Sequence, residues 1–232
     1  MRIELERVTH TFGEGPTART VLREVTLTLT ERRIGVIGHN GSGKSTFLRL
    51  LNALVLPTAG RVRVDGLDTS RDAKELRRRI GFLFTDPDAQ IIMPTVAEDV
   101  AFGLRRSGLA RPEIDGRVRE LLVRFHLDGH ADHPAHLLSG GQKQLLALAS
   151  VLITEPLALV MDEPTTLLDL RNAAMIGRVV AALDQTVLLA THHLDLLDGF
   201  ERVLVFHEGR VVVDAAPEVA IAAYRELMSG EP

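Results

Sequence analysis

Apolar and polar positions alternate along Ile3–Val8 and again along Val25–Leu29. That period of two is the pattern of half-buried strands. Ile34-Gly-Val-Ile37 breaks the alternation: it is short, wholly apolar and followed by Gly38. It reads as a strand buried on both faces that feeds a turn. Phe47, Leu48, Leu50, Leu51 and Leu54 then recur at helical spacing, which predicts a helix over Lys44–Leu54 stopped by Pro57. Arg61–Asp65 predicts another strand, turned by Gly66. Leu76–Arg79 reads as a basic helix end before a strand at Ile80–Phe84.

From about Pro87 to Glu155 helical patterns take over, at Val96–Leu104, Pro112–Phe125 and Gly140–Ile153. Strands and helices then alternate again: strand Leu157–Met161, helix Arg171–Leu183, strand Thr186–Ala190. Val203–Phe206 and Arg210–Val213 predict a hairpin across Gly209, and Pro217–Met228 a closing helix with proline in its first turn. Buried strands alternating with helices make an α/β core. The expected organisation is one domain over 1–232, with core residues 1–86 and 156–232 and an inserted α-helical subdomain at 87–155. No internal repeat or low-complexity segment interrupts it.

Composition narrows the function classes. The chain has 232 residues, 45% of them hydrophobic, enough to bury one large core. Its 27 basic and 31 acidic residues give a net charge of −4, so no nucleic-acid partner is expected. The absence of cysteine excludes disulfides and thiolate metal sites. The opening MRIELERV has no apolar signal-peptide core. The longest apolar stretch, around Leu145–Ile153, is far short of the ~20 residues that span a bilayer. Work at a membrane would require a partner.

Three motifs carry chemistry. Gly38-His39-Asn40-Gly41-Ser42-Gly43-Lys44-Ser45 matches G-x-x-x-x-G-K-S/T between a predicted strand and a predicted helix. The glycines let backbone N–H groups converge on one anion, Lys44 adds a cation for the β- and γ-phosphates, and the Ser45 hydroxyl can ligate Mg²⁺. A bare glycine-rich turn would not need the lysine. Asp162-Glu163 ends the apolar strand Leu157–Met161. Asp162 could hold Mg²⁺ and Glu163 polarise an attacking water. Leu138-Ser139-Gly140-Gly141-Gln142 opens an apolar helix. It is either a helix cap or a second anion receptor.

In sequence and order these three motifs resemble the ABC ATPases, a resemblance that covers nearly the whole chain. It implies an ATP-hydrolysing enzyme with the P-loop NTPase fold: a mainly parallel sheet flanked by helices, an N-terminal antiparallel β subdomain and the helical insertion. ATP and Mg²⁺ would be its cofactors. Phe12 would stack on adenine, and Gly38–Thr46 would hold the phosphates. Ser139, Gly140, Gly141 and Gln142 would complete the site of a second subunit, either an identical copy or a related ATPase. Thr166-Leu-Leu-Asp169 falls at the family's D-loop, and His192 at the histidine that contacts the γ-phosphate. Lys44, Glu163 and His192 would be catalytic. Ser45 and Asp162 would hold the metal. One position departs from the pattern: Phe84-Thr-Asp-Pro-Asp-Ala-Gln90 has Thr85 where the family places a metal-touching glutamine. With its shorter side chain, Thr85 would reach the metal through water.

Pro87–Gly103, Leu137–Gln144 and Asp162–Arg171 resemble the energy-coupling-factor group, which imports vitamins and transition-metal ions, and most of all its biotin-importer ATPases. The group implies a peripheral subunit on the cytoplasmic face of the membrane. It would serve a transmembrane energy-coupling subunit, gripped around Phe84–Phe102, and a substrate-binding membrane subunit. Soluble relatives in DNA repair or chromosome structure carry coiled coils or zinc insertions, and translation relatives carry two ATPase halves. Neither feature is present here. A nucleotide sensor without turnover would suit Thr85 but not Glu163 and His192.

Overall fold

The computed structural model describes residues 1–230. β1 (Ile3–Phe12) and β2 (Arg19–Leu29) both run further than the alternation predicts. Their pairing slips in register between Leu5 and Val8 and again near His10, and Arg7 and Glu24 take φ of 46° and 50°. Such bulges break the period of two, which removes the sequence signal beyond them. The chain continues through β3 (Arg33–Gly38), α1 (Lys44–Leu51), β4 (Ala59–Val64), β5 (Leu67–Asp68), α2 (Ala73–Arg79) and β6 (Ile80–Leu83). Between β6 and β7 (Ala158–Asp162) the regular structure is helical: α3 (Val96–Phe102), α4 (Arg111–Arg124) and α5 (Gly140–Leu152). α6 (Leu170–Ala181), β8 (Thr186–Ala190), β9 (Arg202–His207), β10 (Arg210–Ala215) and α7 (Pro217–Ser229) follow.

α1 stops at Leu51, so Pro57 does not terminate it. Leu54 N–H donates to Arg49 O and Ala53 N–H to Leu50 O, around a left-handed Ala53 (φ 57°). This is a Schellman end with alanine where glycine is usual, so the stop carried no glycine signal. Leu54, expected on the apolar face, is 41% exposed.

The strands form two sheets. β2-β1-β4-β5 is antiparallel throughout. The second, in order β10-β9-β3-β8-β7-β6, is parallel except for the β9–β10 hairpin. Alternate residues of its strands enter separate cores. Ile34, Val36, Leu188 and Phe206 face α1 and the antiparallel sheet. Ile37, Met161, Leu189 and Val205 face α5 and α6. Burial on both faces explains the runs of uninterrupted aliphatics.

Because β3, β6, β7 and β8 are parallel, their C-terminal ends share one edge of the sheet. That edge collects Gly38, Thr85, Asp162-Glu163 and Thr191-His192, and ligands of open α/β sheets bind at such an edge. Among the described residues, no helix is long and apolar enough to cross a membrane.

Candidate functional site

The loop from β3 to α1 is held open by its backbone. Gly38, Gly41 and Gly43 have φ of 151°, 80° and 109°. A Cβ on Gly38 would lie 2.3 Å from Phe206 O, so the close approach of β9 excludes any side chain there. α1 begins after Gly43, which offers no side-chain cap, so the first N–H groups of the helix remain available to an anion. Lys44 Nζ donates to Gly38 O at 2.7 Å and His39 O at 3.1 Å, and lies 3.5 Å from Glu163 Oε1. Gly209 N–H donates to Ser42 O and ties the loop to the β9–β10 turn.

A cleft of about 400 Å³ opens over this loop, lined by Phe12, Arg19, Val21, Asn40, Gly41, Gly43, Lys44, Ser45, Thr46 and Glu163. Phe12 is 47% exposed and meets His10 edge-on, which leaves a ring face free. His39 lines the neighbouring groove instead and packs edge-on against His207. Arg19 and Val21 belong to none of the sequence motifs. Arg19 is opposite Phe12 in the β1–β2 ladder, past the bulges that hide this pairing from the pattern.

At the end of β7, Asp162 is 2% exposed, accepts from Ser45 Oγ at 2.8 Å and lies 3.6 Å from Arg49. Burial pushes its carboxyl above the usual range despite Ser45 and Arg49. Glu163 has φ of 50°, and its N–H donates to Ala190 O, which fixes it against β8. Glu163 Oε2 accepts from Thr166 Oγ1 at 3.0 Å and lies 3.2 Å from His192 Nδ1. Burial works against its charge, but the Thr166 hydroxyl, Lys44 and His192 outweigh it and hold the carboxyl below its ordinary value. Thr166 thus joins the site through its hydroxyl, a contact that the sequence pattern alone does not reveal.

Thr85 Oγ1 donates to the main-chain O of Asp162 at 2.7 Å, binding the end of β6 to that of β7. Its hydrogen is therefore engaged, and only oxygen lone pairs face other partners. Gln90 accepts from Phe84 N–H and donates to Phe82 O, so it braces its own loop.

Ser139–Gln142 lies outside the lining of the cleft. Ser139 Oγ accepts from Gln142 N–H, and Gln142 Oε1 from Ser139 N–H, in a reciprocal capping box. Gln142 Nε2 also lies 3.3 Å from His130 Nε2. A Cβ on Gly141 would lie 2.5 Å from Asn172, whose N–H and Nδ2 donate to Asp169. Asp169 is thereby the N-cap of α6. Leu137, Leu167 and Leu170 around these turns are 71%, 64% and 89% exposed.

The family model described as ABC transporter matches residues 22–166. The biotin transport ATP-binding protein BioM of Rhizobium etli is 51% identical over 227 residues, spanning 98% of this chain and 99% of that protein. The energy-coupling factor transporter ATP-binding protein EcfA1 of Symbiobacterium thermophilum is 46% identical over 195 residues, 82% of this chain and 68% of its own. Among solved structures, CbiO1 of Clostridium perfringens, part of the transporter complex cbiONQ, aligns with a TM-score of 0.83 at 33% identity, covering 98% of this chain and 92% of that one. The ATP-binding cassette MJ0796, solved as a dimer in a post-hydrolysis state with ADP and phosphate, aligns at 0.82 and 29% identity, covering 93% and 98%. The chain belongs to the ABC transporter family, as an ATP-binding, ATP-hydrolysing subunit. Within that family it falls in the energy-coupling-factor group.

Proposed function

We propose that this subunit energises an importer of biotin, by hydrolysing ATP between two ATPase subunits on the cytoplasmic face of a membrane. The observation that carries the reading is the meeting of Lys44, Ser45, Asp162, Glu163 and His192 at one sheet edge, in a chain 51% identical to a biotin transport ATP-binding protein. Gly38–Thr46 holds the phosphates, with Lys44 balancing the charge of the β- and γ-phosphates and Phe12 stacking on adenine. Glu163, kept ionised by its neighbours, orients a water and accepts its proton as the oxygen attacks the γ-phosphorus. The bond to the β-phosphate oxygen breaks, giving ADP and phosphate. His192, beside Glu163, contacts the γ-phosphate.

Mg²⁺ fits the residues present. Ser45 and Asp162 offer hard oxygen donors in contact, and the buried Asp162 carboxyl calls for a cation. Among the described residues no cluster of three or more His, Cys, Asp or Glu could hold a metal alone, so nucleotide and water would supply the other ligands. The ion would neutralise phosphate charge as it develops. Ser139–Gln142 of a second subunit, either an identical or a related ATPase, would close the site, and the dimeric MJ0796 supports that arrangement.

Residues 87–155 would form the helical subdomain that carries Ser139–Gln142, and Phe84–Phe102 would take up a transmembrane energy-coupling subunit beside the substrate-binding one. In support, Ile92 is 61% exposed, on a segment pinned by buried Asp99, which accepts from the Ile92 and Met93 N–H groups and from Ser150. The test is ATP-dependent uptake of radiolabelled biotin by vesicles carrying the membrane subunits and this chain. Glu163→Gln should lower uptake by about 10²–10⁴. Undiminished biotin uptake with that variant, or uptake of cobalt alone, would overturn the reading.

A further inference from the structure

The geometry points to Arg19 as a further nucleotide ligand, a cation reaching from the adenine end of the cleft to the diphosphate. This rests on the assignment of Gly38–Ser45 as the phosphate cradle, and it adds a residue that none of the motifs contains. Three observations place it. Arg19 pairs across the strand with Phe12, the proposed adenine platform. Its side chain lines the same cleft as Phe12, Lys44 and Ser45. Its guanidinium Nη2 stands 3.6 Å from the point where a Cβ on Gly41 would lie, at the middle of the loop. The Arg19 side chain therefore runs from a strand position beside the base platform toward the loop that cradles phosphate.

Its charge is uncommitted. Among the described residues Arg19 pairs with no carboxylate, whereas Arg2, Arg49, Arg63, Arg79 and Arg117 each lie beside one. A guanidinium presents a planar fork of donors that matches phosphate oxygens. Lys44 supplies a point charge from beneath the loop, while Arg19 supplies a fork from the open side. An exposed arginine has little effect on its own. A bound diphosphate gives it a doubly charged partner and removes water from both. Arg19 lines both this cleft and the adjoining groove, whereas Arg23 and Arg210 line the groove alone, so they report on general positive charge without direct contact.

The experiment is titration of the purified chain with fluorescent ADP, with steady-state ATPase of the assembled complex. Arg19→Ala should weaken ADP and ATP binding roughly tenfold. It should raise KM for ATP by a similar factor with kcat within about twofold, and flatten the salt dependence of binding. Arg19→Lys should recover part of the loss, and Arg23→Ala and Arg210→Ala should change nothing. Should Arg19→Ala disturb the β1–β2 ladder, as its melting temperature would report, Arg19→Gln keeps most of the aliphatic stem and a donor without the charge and replaces it. ADP affinity within about twofold of the native chain in Arg19→Gln would overturn the proposal. An equal loss in Arg23→Ala would also do so, since it would point to diffuse electrostatics. If Lys44→Ala binds ADP as the native chain does, the cradle assignment itself fails, and the two failures are thereby told apart.

Discussion

Two glycine-rich turns in this molecule each start a helix, and they are prepared in opposite ways. Before α1, Gly43 sits in a left-handed conformation with no side-chain cap, so the helix presents unused N–H groups around Lys44. Before α5, Ser139 and Gln142 cap each other, and Gln142 also meets His130. The first turn leaves the N–H groups at the start of its helix open to an anion. The second pairs two of its donors, Ser139 N–H and Gln142 N–H, internally, and under the proposed function it would exchange those bonds for a phosphate held by another subunit. An intramolecular cap contributes about 1 kcal/mol, so the exchange is cheap and reversible. That asymmetry suits one half-site that always binds nucleotide and another that engages only on assembly.

The largest break in this contrast is Lys44→Ala. Lys44 is buried with its Nζ at the cradle, and a hydrogen bond to a charged group contributes about 1.5–3 kcal/mol. Nucleotide affinity of the isolated chain should therefore fall by roughly ten- to a hundredfold, read by calorimetry. Ser139→Ala should behave differently. Binding by the isolated chain stays unchanged, the chain loses about 1 kcal/mol of stability with the cap, and turnover of the assembled complex drops by about 10² with the donor to phosphate gone. If Ser139→Ala weakened ADP binding by the isolated chain, the two turns would not be separate half-sites.

Much of this was legible because the local rule and the fold agree. Thr186–Ala190 matches the structural strand end to end, since a strand buried on both faces needs an unbroken apolar run. The hairpin across Gly209 was legible from one glycine; Glu208 and Gly209 both take positive φ, as a type I′ turn requires. The first and last motifs fall where the parallel strands end. What stayed hidden depends on contacts between distant segments. The far halves of β1 and β2 lie beyond bulges, and the end of α1 uses an alanine in a glycine role. Arg19 reaches the cleft only through cross-strand pairing. The Thr85 contact with Asp162 O needs β6 beside β7, so the departure from glutamine reads in sequence as a shorter reach to the metal through water and in structure as a bond that ties the two strand ends together.

The smallest and sharpest test concerns Thr166, which follows both turns in the chain and is bonded to Glu163. Its hydroxyl donates to the charged carboxylate and so favours ionisation, one of the contributions that hold the Glu163 carboxyl below its ordinary value against burial. Thr166→Ala removes that donor. The Glu163 pKa must then rise, and below it the base is protonated and cannot accept a proton from water. Activity is therefore retained on the alkaline side and lost earlier as pH falls, moving the acid limb of kcat upward. At pH about 8 the variant should lie within roughly threefold of the native enzyme, with the deficit growing as pH falls toward the ordinary carboxylate range. A uniform deficit across pH would mean that Thr166 acts through subunit contacts, the face marked by exposed Leu167 and Leu170, and not through the base.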